Sequence, residues 1–120
     1  MKQAGQICLF RFPRTDLETG KSRPALLITR LPGPFDDWLV CMISSQINQA
    51  IEAFDEILDQ DETDFVQTGL KTDSVIHIAR LAVVTDGILL GAIGEISAER
   101  LKRIKGKIAK WIQSEAQDSS

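Results

Sequence analysis

The sequence predicts a mainly β domain with added α structure: a small, partly open barrel with a C-terminal amphipathic helix packed on one side. Two observations carry this. Short apolar runs follow one another, each bounded by turn-forming residues. A single clear helical stripe then closes the chain.

The elements follow in order. Residues 6–12, 24–30 and 38–44 are rich in aliphatic and β-branched side chains and read as three strands. Asp16–Gly20 and Leu31–Asp37 are the loops between them, the second broken by Pro32-Gly33-Pro34. Ala50–Leu58 reads as a helical turn, because Ile51, Phe54 and Leu58 fall at helical spacing. Ser74–Val84 is a longer, bent strand, and Ile88–Ile96 a turn followed by a further strand. Ser97 is the expected N-cap of the final helix, with Glu99 in its first turn. Leu101, Ile104, Ile108, Trp111 and Ile112 form its apolar stripe, with Lys102, Arg103, Lys105, Lys107 and Lys110 away from it. The expected organisation is one domain over residues 1–120, with its core at about 5–112 and a frayed tail at 113–120.

With 120 residues, 43% apolar and 26% charged, the chain has the balance of a soluble globular domain with a single core. No apolar run is long enough to span a bilayer and no signal-peptide pattern opens the chain, so the expected location is cytoplasmic and no membrane is involved. Cys8 and Cys41 each sit inside an apolar run and read as reduced core residues. With no CxxC spacing and one histidine, no metal site is expected. The D-x-D spacing of Asp59 and Asp61 lacks the glycine and closing glutamate of a calcium loop.

The net charge of −3 is unevenly spread. No Lys or Arg occurs from Leu31 to Leu70, a stretch with nine acids, while the rest holds 14 basic and 8 acidic residues. The flanks could therefore offer a basic face. The acidic stretch reads as a solvated loop, or as a loop that competes with a polyanion for that face.

Arg23-Pro24 stands between the first two strands. Proline fixes its own φ and extends the residue before it, so a five-donor guanidinium is held at the lip of a buried strand. Such a group suits a phosphate, or simply ends a loop. Met42-Ile43-Ser44-Ser45 follows the third run, Gly69-Leu70-Lys71-Thr72-Asp73-Ser74-Val75-Ile76 follows the acidic stretch, and Ile93-Gly94-Glu95-Ile96-Ser97 leads into the helix. In this order and spacing, from Gly5 to about Ile112, the chain resembles the PemK/MazF family of toxin endoribonucleases from toxin–antitoxin pairs.

The resemblance implies an SH3-like barrel, shared with the CcdB-type toxins, and a homodimer with an RNA groove at the subunit junction. It implies a single-stranded RNA substrate, cut without metal or cofactor by 2′-OH attack to leave a 2′,3′-cyclic phosphate and a 5′-OH, and a cognate antitoxin as partner. DNA, lacking the 2′-OH, is excluded from such chemistry. The family's catalytic arginine and hydroxyl fall on Arg23 and Ser44. Arg23 would stabilise phosphoryl charge, with possible proton donation to the leaving oxygen; Ser44 would bind the phosphate or orient the 2′-OH, or merely bond backbone at a strand end. Serine stands where the family usually has threonine, which frees χ1.

Glu18 lies five positions before Arg23, as an acid does in several members, and could orient it or contact a base edge. Arg14 and Lys21 are expected phosphate contacts, joined by Ser45 and Lys71 as substrate-binding residues. His77 falls where some relatives carry an arginine implicated in catalysis, and is a substrate contact, a proton-transfer residue, or a structural or exposed histidine. The family often reads Gln-Ile-Arg-Thr-Ile-Asp where this chain has Arg80-Leu81-Ala82-Val83-Val84-Thr85. Arg80 adds a cation there while the polar set is lost. That departure keeps open an alternative, a non-catalytic binding module acting on a protein target as CcdB-type toxins act on gyrase.

Overall fold

A computed structural model describes residues 2–11 and 22–114. The chain builds a six-stranded antiparallel sheet: β1 (Gln6–Phe10), β2 (Arg23–Arg30), β3 (Asp37–Ser44), β4 (Glu56–Leu58), β5 (Ser74–Thr85) and β6 (Leu89–Glu95). The strand order is β4-β5-β3-β2-β1-β6. Two helices accompany it, α1 (Phe65–Thr68) and α2 (Ala98–Gln113), with 3-10 turns at Ile47–Gln49 and Asp86–Ile88.

The apolar run at Ala25–Ile28 is continuous because both of its faces are covered. Leu26 and Ile28 join Ile7, Cys41, Ile43, Ile76 and Ile78 in a cluster that receives Ile104 and Ile108 of α2. Ala25 and Leu27 point the other way and pack with Cys8, Phe10, Trp38, Val40, Val84 and Leu89. Both cysteines are free and buried.

The edge strands β4 and β6 do not pair with each other. Helix α1, which follows β4, packs on β6. Gly69 caps α1 in the left-handed region, at φ 76°, where a side chain would be strained and would strike the backbone of Ile93. The barrel is thus partly open, as expected.

Most expected elements are present, including the long strand at 74–85. It bends at an irregularity where the partner of Cys41 is Leu81 and that of Met42 is His77. Ser97 caps α2, its Oγ accepting from the amide of Arg100 at 3.1 Å.

Two expectations need correction. Ala50–Leu58 is not a helical turn. Ile51 is exposed, Ala53 has φ 64°, and Glu56-Ile57-Leu58 form β4, buried at its two ends and exposed in the middle. The helical spacing of 51, 54 and 58 is a coincidence across a turn and a three-residue strand, too short to display its own period.

The acidic stretch is also not simply a solvated loop: Asp36, Glu52 and Asp61 are exposed, but part of it turns inward. Glu56 and Asp64 are buried. Arg100 donates to Asp64 Oδ2 at 2.9 Å, Glu56 Oε1 at 2.7 Å and Glu62 Oε1 at 2.6 Å. Arg103 and Lys107 add bonds to Glu56 at 2.8 Å each. Cations that looked like one flank's surplus are therefore paired with the segment that lacked any. The stripe of α2 weakens toward its end, where Trp111 and Ile112 are exposed.

Candidate active site

The open ends of β1, β2, β3 and β5 surround a shallow cleft lined by Phe10, Arg23, Pro24, Met42, Ile43, Ser44, Gln49, His77 and Arg80. Strand register explains the gathering. Phe10 pairs with Arg23, Ala25 with Met42, and Met42 in turn with His77. Carrying the β2–β3 register two residues beyond Ala25 sets Arg23 level with Ser44, the last residue of β3. Side chains alternate across a strand, so Ser44, Met42 and His77 emerge on one face. The irregularity in β5 lets Arg80 approach the same opening.

The cleft is cationic. Arg23 and Arg80 are exposed, and among the described residues neither has an ion-pair partner. Ser44 Oγ accepts from the amide of Gln46 at 2.9 Å, which leaves the hydroxyl proton available to the cleft. Gln49 enters from the 3-10 turn at Ile47–Gln49.

Behind His77 stands Asp55. The His77 Nδ1 lies 3.4 Å from Asp55 Oδ2, and the two side chains are 7% and 1% exposed. Asp55 Oδ1 accepts from the amide of Ile78 at 2.9 Å and Oδ2 from that of Ile51 at 2.9 Å. Burial pushes the Cys41 thiol up to about 12, and the charge of Asp55 adds to the shift, so Cys41 offers no thiolate. Among the described residues no His, Cys, Asp and Glu side chains converge as a metal-ligand group.

Of the residues singled out in the sequence, Arg23, Ser44, His77 and Arg80 are brought together. Ser45 and Lys71 are exposed but do not line the cleft. Arg14, Glu18 and Lys21 lie outside the described residues. Trp38 is core, at 4% exposure, while Phe35 is exposed in its loop. Sequence reasoning missed Gln49 and Asp55. The acids around Asp55 hid it, since nothing in the pattern marks which carboxylate of a crowded acidic stretch turns inward.

A family model described as the PemK-like, MazF-like toxin of type II toxin–antitoxin systems matches residues 3–112. Among solved structures, the Mycobacterium tuberculosis toxin MazF-mt6 superposes with a TM-score of 0.65 at 18% identity, over 92% of this chain and 98% of that one. An endoribonuclease in complex with its cognate antitoxin, from mycobacterial species, gives 0.65 at 12% identity, over 93% and 95%. At these identities the likeness is one of fold. No curated protein matches the sequence. No helix among the described residues is long and apolar enough to cross a membrane.

Proposed function

The chain belongs to the PemK-like, MazF-like toxins of type II toxin–antitoxin systems, and from that premise we propose that it is a metal-independent endoribonuclease acting on single-stranded RNA. The observation that carries the proposal is the single cleft lined by Arg23, Ser44, His77 and Arg80.

The reaction needs no bound group from outside the RNA. The 2′-oxygen attacks the adjacent phosphorus in line with the departing 5′-oxygen, giving a 2′,3′-cyclic phosphate and a 5′-OH. Arg23 meets the charge that builds on the phosphoryl oxygens; a planar fork of donors suits two of them at once. Arg80 supplies a second cation for the chain of phosphates. Ser44 donates its hydroxyl proton to a phosphoryl oxygen or holds the 2′-oxygen in line. It is not a covalent nucleophile in this scheme, since the attacking oxygen belongs to the substrate.

A cognate antitoxin and a second copy of the chain are the proposed partners. The structural neighbour described as a complex with its antitoxin supports the first. The exposed apolar side chains of Val83 and Leu90 offer surface for an assembly.

The test is incubation of the purified protein with a long single-stranded RNA in EDTA, with end-group analysis of the fragments. Discrete fragments with cyclic phosphate and 5′-OH ends are expected. Intact RNA at high protein concentration would refute the nuclease reading and leave a toxin-like module directed at a protein target.

A further inference from the structure

We propose that Asp55 and His77 form an oriented pair in which Nδ1–H faces the buried carboxylate and Nε2 takes the proton of the attacking 2′-hydroxyl. The inference rests on the endoribonuclease reading and adds what that reading lacks. Neither Arg23 nor Arg80 can accept a proton, because a guanidinium stays charged at any ordinary pH. Among the described residues no base bonds to the Ser44 hydroxyl, whose oxygen accepts from the amide of Gln46. Among the described groups that line the cleft, His77 offers the one basic ring nitrogen.

The geometry aims it. Asp55 is held by amides from two directions, Ile51 in its own loop and Ile78 in β5, the residue next to His77. A carboxylate gripped by the strand that carries the histidine cannot swing away from it. Its Oδ2 lies 3.4 Å from Nδ1. A carboxylate is an acceptor only, so the contact favours the tautomer with its proton on Nδ1. That leaves the lone pair on Nε2. This atom has no protein partner among the described residues. His77 lines the cleft, and its Nε2 is not among the described side-chain atoms that are both buried and unpartnered, which places that atom toward the opening. Among the described residues the charges facing the imidazole are Asp55 behind it and Arg23 and Arg80 across the opening.

In the step itself the 2′-O–P bond forms as Nε2 accepts the 2′ proton, and Asp55 stabilises the resulting imidazolium. The P–O5′ bond breaks, and the 5′-oxygen takes a proton from a solvent water. The imidazolium then returns its proton to the hydroxide so formed, and the protein ends as it began. His77 is a catalytic residue in this scheme; Asp55 is a positioning residue that acts through it.

The chain has one histidine, so its imidazole gives a single set of signals in long-range proton–nitrogen NMR spectra. In the unmodified protein at neutral pH the proton is expected on Nδ1 with Nε2 bare, and Asp55→Asn shifts the balance toward the other tautomer. A wild-type imidazole protonated on Nε2 overturns the pairing, whether or not RNA is cut. In cleavage assays His77→Gln is expected to lose about 100-fold or more in kcat with little change in KM, and to lose the acid limb of the pH profile. Wild-type cleavage matched by His77→Gln, limb included, overturns the proton-transfer role and leaves the nuclease reading intact. No cleavage by the wild type refutes both roles, while the tautomer still decides the pairing. His77→Gln keeps the amide bonds to Asp55, so it carries the kinetic test even where Asp55→Asn proves misfolded by circular dichroism.

Discussion

The amide of Gln46 donates to Ser44 Oγ at 2.9 Å, and this bond sets the direction of the hydroxyl. Threonine would restrict χ1 through its methyl group. Here a turn two residues on does the same work by occupying an acceptor site on the oxygen. Ser44→Ala is therefore expected to lower cleavage about 10- to 100-fold, the worth of one hydrogen bond to a charged group. Ser44→Thr keeps the hydroxyl and the bond, and its rate should stay within a few-fold of wild type. Single-turnover cleavage of a fixed RNA checks both; an active Ser44→Ala would remove the residue from the mechanism.

Arg23 is exposed and forms no ion pair among the described residues, so little of the fold's stability is expected to rest on it. Arg23→Ala should lose about 100- to 1000-fold in cleavage rate, in the range for removing one donor to a developing oxyanion. Its urea midpoint should move by no more than about 0.5 kcal/mol equivalent. Arg23→Lys restores charge but not the planar fork, and should recover only part of the rate.

Arg100 is the reverse case. It is 5% exposed and bonded to Asp64, Glu56 and Glu62. Arg100→Met strands the buried carboxylate of Asp64 and removes one of the three cations on Glu56, which keeps Arg103 and Lys107; the cost is about 3–5 kcal/mol for a broken buried pair. Equilibrium urea unfolding measures it. A loss below about 1 kcal/mol would show that the network contributes little to folding.

The same network fixes the acid response. Burial alone would push the Glu56 carboxyl up, but hydrogen bonds from Arg103 and Lys107, with their charges, outweigh it and hold the group at about 2 against an ordinary 4.5. Asp64 is lowered too; burial opposes, while Arg100 and the Ser97 amide prevail. A carboxyl depressed on folding stabilises the fold fully above its ordinary value and loses that contribution as pH falls toward its folded value. Stability should therefore drop between about pH 4.5 and about pH 2. Glu56→Gln should flatten that slope in urea titrations across the range, and an unchanged slope would acquit Glu56.

Legibility from sequence followed the length and uniformity of each signal. Strands β2, β3 and β5 and helix α2 were readable because each repeats its pattern over seven or more residues. Helix α1 and strand β4, with four and three residues, carry no usable period, and tertiary contact with β6 and β5 decides them. Arg23 and Ser44 stood out by order along the chain. Their convergence with His77 depended on register and on the irregularity in β5, which no local pattern reveals. The partners of Glu56 and Asp64 lie on a helix some forty residues away, beyond any windowed reading.

Asp55 sits one position before Glu56, whose cations come from α2, the helix that follows all six strands. A nascent chain ending before Ala98 holds every strand of the cleft yet lacks the counter-charges that seat this acidic segment. Seating of this segment would therefore wait until α2 has emerged from the ribosome. A chain truncated after Ser97 should be cut rapidly by protease within residues 50–64 and should leave RNA untouched; protection equal to that of the full chain would show the segment seats itself.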